Sequence, residues 1–322
     1  MKNTFNKPVL IVTGSEGSLA QWMINDLSQK YTVIGMDNCA RYGEQDVHRD
    51  YILEKGDLCN IEWVNDIFSK YQPMFVMHCA AQIYGVVGFH KFSADILGGN
   101  VASTHSVLAN AVKHGIKKIA YISSSMVYER ATHTPFTEDV VDDLPCPNTG
   151  YGLSKLMGER LVKEYYRQYN LDYVIWRPFN IVSPKEKFDT EPGIAHVVAD
   201  FIQKIAIDQC ESVEIFGDGN QVRCFTWIDD VAKVIASRSW DSETSGQCYN
   251  VGSETPTQIV DLARIIWQRS GRTDQFQSHF VTSYKDDVLG RIPDSTKVRN
   301  LGWTHSKSVE DIVDICLTAQ VQ

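Results

Sequence analysis

Short apolar runs alternate with segments of helical spacing, and this alternation constrains the chain more than any other feature. Val9–Thr13 (VLIVT), Thr32–Met36 (TVIGM), Phe75–Ala80 (FVMHCA), Lys118–Ser123 (KIAYIS) and Tyr173–Arg177 (YVIWR) read as strands, with a weaker candidate at Leu53–Asp57. Between them, Gln21–Lys30, Ile61–Tyr71, Ala94–His114 and Tyr151–Asn170 carry helical periodicity. Strands that are apolar throughout must be covered on both faces, and intervening helices supply the cover. Right-handed crossovers then predict an α/β fold with a doubly wound parallel sheet of Rossmann type.

After Pro178 the pattern changes. Pro184, Pro192, Gly217 and Gly219 interrupt the chain, and helices are expected at Gly193–Asp208, Asp229–Arg238, Thr257–Ser270 and Ser308–Gln320. Tyr249–Val251 reads as a strand that rejoins the sheet edge. No repeat or low-complexity linker divides the chain. The expected organisation is a dinucleotide-binding Rossmann domain over 1–178, rejoined by a segment near 222–252. A smaller, interleaved substrate lobe covers 179–322.

The first strand runs into Thr13-Gly14-Ser15-Glu16-Gly17-Ser18-Leu19-Ala20. Gly14 suits a tight turn, Gly17 lets a pyrophosphate approach the backbone, and Ala20 lets the following helix pack closely. A turn with no ligand has the same look, so the loop needs a partner. Asp37 supplies one at the end of the second strand, 23 residues after Gly14. A carboxylate there accepts both ribose hydroxyls of an adenosine and repels a 2′-phosphate, which favours NAD over NADP. Arg41, four residues on, weakens that preference. Asp57 and Leu58 either border the adenine or simply end a strand.

Tyr151 and Lys155 stand four residues apart, on one face of a helix. An ammonium there is expected to lower the tyrosine's pKa, so that a phenolate can take a proton from a sugar hydroxyl. Tyr51 and Lys55 have the same spacing, so spacing alone decides nothing. Context separates them: Tyr151 follows a strand whose end carries Ser123, Ser124 and Ser125, on the side where open α/β sheets bind ligands. His78, inside an apolar strand, reads as a core histidine.

TGxxGxxA, Asp37, the His78-Cys79-Ala80-Ala81 run, Asn100, Ser123–Tyr128 (SSSMVY), YxxxK and Arg177–Pro184 (RPFNIVSP) occur in one order. As a set they resemble the extended short-chain dehydrogenase/reductases, the NAD-dependent nucleotide-sugar epimerase/dehydratase family, over essentially the whole chain. The resemblance implies bound NAD, with Ala80 among its contacts. It implies that Ser124 shares a substrate hydroxyl with Tyr151, and that Lys155 also holds the nicotinamide ribose. Ala20 departs mildly from the family's third glycine. Phe216–Asp230 resembles the family's GDGxQxRxFxxxDD segment, so Arg223 is expected to pair with the diphosphate of a nucleotide-diphosphate sugar. Asn180 is a further donor to that diphosphate, and Arg291 a second clamp; each arginine also reads as a solvated surface residue.

The same resemblance bears on the reaction. Family dehydratases place Asp-Glu after the conserved serine, where this chain has Ser125-Met126. Related decarboxylases carry glutamate at the Met126 position, and 3,5-epimerases and epimerase-reductases carry cysteine. Methionine has no titratable proton. What remains needs only Tyr151, Ser124, Lys155 and NAD: C4 inversion through a 4-keto sugar, or a simple reductase or dehydrogenase. Tyr84 and His90, in the loop Gln82–His90, are expected to line the sugar pocket with Ser125. This Gly-rich loop resembles the corresponding loop of 3,5-epimerase and fucose-synthase relatives, which keeps a 3,5-epimerase-like enzyme open: His90 or Tyr84 would be the substitute acid/base, and the other reading of His90 is a substrate-positioning or purely structural histidine. A non-catalytic NAD-binding protein is the alternative from another class, opposed by the intact Ser124, Tyr151 and Lys155.

Charge and cysteines bound the partners. With 31 basic and 40 acidic residues the net charge is -9, the wrong sign for a non-specific nucleic-acid binder. The eight cysteines include no CxxC pair, so no metal site is expected and free thiols in a reducing compartment are. No apolar stretch reaches membrane-span length, and the N-terminus lacks a secretory signal, so a cytoplasmic protein is expected. Ala94–His114 and Tyr151–Asn170 resemble helices that form a homodimer interface in relatives; packing on the sheet explains their apolar faces equally.

Overall fold

The computed structural model describes residues 5–43, 50–186, 188, 189, 191, 193–284 and 290–321. The first half carries β1 (Val9–Thr13), α1 (Ser18–Lys30), β2 (Thr32–Asp37), β3 (Ile52–Lys55), α2 (Ile61–Tyr71), β4 (Phe75–His78), α3 (Val86–Lys91), α4 (Ser93–Lys113), β5 (Lys118–Ile122), α5 (Gly150–Tyr169) and β6 (Asp172–Pro178). The second half carries β7 (Ile181–Val182), α6 (Val197–Ile202), β8 (Val213–Phe216), β9 (Val222–Arg223), β10 (Thr226–Trp227), α7 (Ile228–Arg238) and β11 (Gln247–Val251). It ends with β12 (Thr257–Gln258), α8 (Ile259–Arg269), β13 (Ser278–Val281), β14 (Gly290–Arg291), α9 (Thr296–Arg299) and α10 (Val309–Val321).

Seven parallel strands form the central sheet in the order β11-β6-β5-β4-β1-β2-β3. The chain winds outward from β1 to β3, then returns to β4 on the other side of β1. Loops diverge at this reversal and leave a crevice at the carboxyl ends of β1 and β4.

The period-two alternation of each strand builds two apolar layers. Leu10 and Val12 of β1 join Met23 and Leu27 of α1, Trp176 of β6 and Val231 and Ile235 of α7. Val9 and Ile11 face the other way, toward Phe68 of α2, Val107 of α4 and Val162 of α5. A third apolar cluster joins α6, β8, α8 and α10 beyond the sheet.

The sequence placed the main strands and helices of the first half, and the structure differs from it at several points. β3 ends at Lys55, so Asp57 and Leu58 lie in the turn before α2, where Asp57 accepts the Cys59 N–H at 2.9 Å. The Gln82–His90 segment, read as a loop, contains α3. The helix expected from Gly193 begins at Val197 and widens into a π turn over Gln203–Ile207. Thr257 and Gln258 are strand rather than helix, because they pair with β9. Among the described residues, no helix is long and apolar enough to cross a membrane, and no cluster of His, Cys, Asp and Glu could hold a metal ion.

Candidate active site at the sheet switch point

The glycine loop leaves β1 through Gly14, whose φ of +67° is a left-handed conformation. A Cβ there would lie 2.7 Å from Ala80 Cα, so the loop and the end of β4 touch backbone to backbone. A Cβ at Gly17 would lie 2.9 Å from the Gly14 oxygen. Ala20 is 1% exposed and seats α1 against the sheet. Asp37 accepts the N–H groups of Cys39 at 2.7 Å and Glu16 at 3.0 Å. Burial raises its pKa, the backbone bonds oppose that, and the charge of Glu16 adds to the rise. A bare backbone cradle, the open helix N-terminus beyond it and a carboxylate one strand away fit an NAD molecule.

Tyr151 enters the crevice because α5 starts one residue before it. Thr149 caps the helix, its Oγ1 accepting the Gly152 N–H at 3.1 Å. Glu129 holds the cap in turn, accepting from the Thr149 hydroxyl at 2.6 Å. Tyr151 is 3% exposed, and Phe89 of α3 stacks on its ring with centroids 4.8 Å apart. Burial pushes the phenol up to about 12, while a hydrogen bond from Ser124 and the charge of Arg291 pull it down. Ser124 follows β5, and its Oγ accepts the Met126 N–H at 3.2 Å.

Lys155 corrects one expectation. Its Nζ donates to the Ile122 carbonyl at 2.8 Å and lies over the Tyr121 ring, 5.3 Å from its centre. It is 5.9 Å from the centre of the Tyr151 ring and is not among the groups that lower the phenol's pKa. Burial lowers the lysine's own pKa to about 8, against the charges of Cys79 and Glu159. The shared helix face is there, yet the ammonium is drawn to the strand end.

Beneath these groups lies a buried polar network that the sequence reading did not single out. Glu159 and Arg177 form a two-pronged pair, Nη2 to Oε2 at 2.7 Å and Nε to Oε1 at 2.9 Å, each side chain 1% exposed. Ser123 donates to Glu159 at 2.5 Å, and Arg177 donates to the Tyr128 hydroxyl at 2.7 Å. The network ties the end of β5 to α5 and β6, and so fixes Ser124 relative to Tyr151. His78 is the core histidine expected: it lies between Thr13 and Thr104, and burial lowers its pKa to about 3.

The other half of the site faces this crevice. Arg223 of β9 and Arg291 of β14 stand in register on adjacent parallel strands. Asn180 has a φ of +39° and donates to the Cys224 carbonyl at 3.4 Å. His90 stacks on Tyr284 at 4.6 Å, and Tyr284 meets Phe216 at 5.5 Å. Tyr84 packs on Phe92 at 5.1 Å. Gly14, Gly17, Asp37, Asp57, Leu58, Ala80, Tyr84, His90, Ser124, Ser125, Tyr151, Lys155, Asn180, Arg223 and Arg291 all line one cavity of about 1220 Å³. Met126 lines it too.

One lining pair had no sequence signal. His196 Nδ1 meets Glu186 Oε1 at 2.5 Å, and the His196 N–H donates to the same oxygen at 3.0 Å. Burial alone would lower the imidazole's pKa; the carboxylate outweighs it and holds it above the usual range. Burial would raise Glu186, and the imidazole holds it below.

Residues 10–252 match the sequence profile of the NAD dependent epimerase/dehydratase family. The chain is 26% identical over 260 residues to GDP-L-fucose synthase 1 of Arabidopsis thaliana, covering 79% of each protein. It is 24% identical over 325 residues to UDP-glucose 4-epimerase of Bacillus subtilis, covering 94% of each. The crystal structure of the Thermotoga maritima UDP-glucose 4-epimerase with UDP-glucose superposes with a TM-score of 0.85 at 26% identity, covering 97% of this chain and 98% of that one.

Proposed function

Because this chain belongs to the NAD-dependent epimerase/dehydratase family, we propose that it inverts C4 of a nucleotide-diphosphate sugar. One observation carries the reading: Ser124 and the buried Tyr151 line one cavity, and the titratable position after the serines is taken by Met126, which lines it too. That gives one proton relay, with no acid or base at the Met126 position. The similarity to UDP-glucose 4-epimerases over nearly the whole chain supports it.

In this reading Gly14 and Gly17 hold the pyrophosphate of NAD, Asp37 its adenosine ribose, and Lys155 its nicotinamide ribose. Asp57 and Leu58 border the adenine, and Ala80 lies along the dinucleotide. Bound NAD supplies a hydride acceptor for the sugar's C4 and then the donor that returns it. Tyr151 Oη takes the C4 hydroxyl proton on oxidation and gives it back on reduction of the opposite face. Ser124 Oγ shares that oxygen. Arg223, Arg291 and Asn180 hold the diphosphate, with Tyr84, His90 and Ser125 around the sugar. We assign the protein to the cytoplasm, as a homodimer through α4 and α5, where Met157 is an exposed apolar side chain.

A second reading, 3,5-epimerisation or net reduction, is favoured by the Glu186–His196 pair, an oriented imidazole on the same cavity, and by the fucose synthase relative. Incubation with UDP- and GDP-sugars in deuterated water separates the two. Hydride return at C4 gives an inverted product without solvent deuterium. Epimerisation next to a carbonyl washes deuterium in, and net reduction consumes reduced cofactor. Deuterium at C3 or C5, or no C4-inverted product from any sugar, would refute the first reading.

A further inference from the structure

We propose that Glu129 is a positioning residue for the proton relay: it locks the turn that presents Ser124 to the helix start that presents Tyr151. The inference rests on those two residues acting on one sugar hydroxyl, and it adds a group that sits behind the cavity wall.

Ser124 opens a single helical turn, Ser125–Tyr128, its Oγ accepting the Met126 N–H at 3.2 Å. Glu129 closes the same turn, donating its N–H to the Met126 carbonyl at 3.2 Å. Thr149, 20 residues on, caps α5 just before Tyr151. The Glu129 carboxylate spans the two. Oε1 accepts the Asn148 N–H at 2.8 Å and the Thr149 N–H at 3.2 Å, and Oε2 accepts the Thr149 hydroxyl at 2.6 Å. Three donors converging on one place suit a group that only accepts and has two oxygens, which is a carboxylate. Its negative charge also suits the start of a helix. Glu129 is 8% exposed and Thr149 6%, so water competes little for these bonds.

The fit between the two elements requires a glycine. A Cβ at Gly152 would lie 2.9 Å from Glu129 Oε2 and 2.9 Å from the Met126 carbonyl oxygen. The first turn of α5 therefore rests directly on the turn that Ser124 opens. Ser124, Met126, Thr149 and Tyr151 line the cavity, and Glu129 lies outside its lining. Around the phenol stand the Phe89 ring from α3, the Arg291 charge from β14 and the Lys155 ammonium further along α5. Ser124 lowers the pKa of this buried phenol, so loosening the two residues lets it rise. A misplacement of about 1 Å in such a site can cost about a hundredfold in rate.

The test is kinetics across pH on the purified full-length protein, with NAD and whichever sugar of the UDP- and GDP-sugar panel the parent inverts fastest. Glu129→Ala should lower kcat by about tenfold to a hundredfold and change KM by less than about threefold. The acid limb of kcat/KM should move to higher pH. Loss of a nearby negative charge alone would move it to lower pH, so the direction separates lost geometry from lost charge. Glu129→Gln keeps an oxygen for the two main-chain N–H groups and should recover most of the lost kcat. Thr149→Val cuts the hydroxyl tie from the other side and carries the test if Glu129→Ala does not fold; it should move the limb the same way. A variant that lowers Tm yet keeps the parent's kcat and acid limb, or a limb that moves to lower pH, would overturn the proposal alone. A parent that inverts no sugar of the panel, or Tyr151→Phe turning over at the parent's rate, would overturn the relay and the proposal with it.

Discussion

The ammonium nitrogen of Lys155 lies 2.8 Å from the carbonyl oxygen of Ile122 and 5.9 Å from the centre of the Tyr151 ring. A charge held at the end of β5 orients the strand that presents Ser124. The phenol's ionisation then depends on Ser124 and Arg291, which act against its burial.

Removing the phenol oxygen removes the proton relay. Tyr151→Phe should lower kcat by about a thousandfold, within the range for general acid–base groups. NADH binding by fluorescence should change little, because the dinucleotide cradle is built from β1, β2 and β4. Residual turnover within tenfold of the parent would refute the role.

The two clamp arginines should separate in their pH behaviour. Arg223→Leu and Arg291→Leu should both raise KM for the nucleotide sugar. Arg291 also lowers the pKa of Tyr151, so its loss lets the phenol rise further. The acid limb of kcat/KM against pH should move to higher pH in Arg291→Leu and stay in place in Arg223→Leu. Equal profiles would remove Arg291 from the phenol's surroundings.

Breaking the buried ion pair leaves one charge uncompensated. Glu159→Gln should cost about 3–5 kcal/mol of stability, read from urea unfolding, because Arg177 stays 1% exposed without its carboxylate. A cost under about 1 kcal/mol would mean that water reaches the network.

The Glu186–His196 pair predicts a stability window. Glu186 is held below its ordinary 4.5, so its contribution is present above that value and is lost as pH falls through its folded pKa. His196 is held above its ordinary 6.5, so its contribution is full below that value and fades as pH rises through its folded pKa. The gap in Tm between the parent and His196→Gln should therefore peak between these two values and shrink on either side. A gap that grows steadily into alkaline pH would contradict the pairing.

Much of this was legible because it follows from local rules. Apolar runs, the Gly14–Ala20 loop and the carboxylate ending β2 are contiguous signals. What escaped depends on distant partners. α3 hid in Gly85-Val86-Val87-Gly88, a run with loop composition. It is anchored by the Gly85 N–H on the Ile194 carbonyl at 2.7 Å, and Gly88 leaves space for Tyr84. β9, β12 and β14 are two residues each, too short for any periodicity, and exist only by pairing with one another. The YxxxK spacing placed a phenol and an ammonium on one side of α5. It carried no information about a carbonyl on another strand competing for that ammonium.

β11 pairs with β6 along its whole length, from Gln247 beside Val174 to Val251 beside Pro178, and its Tyr249 stacks on Trp176 at 5.0 Å. A ribosome must therefore have made more than three-quarters of the chain before the edge of the first sheet can be sealed. A fragment ending at β6 would present a bare, aromatic-lined edge, the kind that recruits a neighbour's strand. Grafting the C-terminal half of a relative onto this N-terminal half would likewise exchange part of the dinucleotide sheet, so hybrid enzymes need a crossover that keeps β6 and β11 from the same parent.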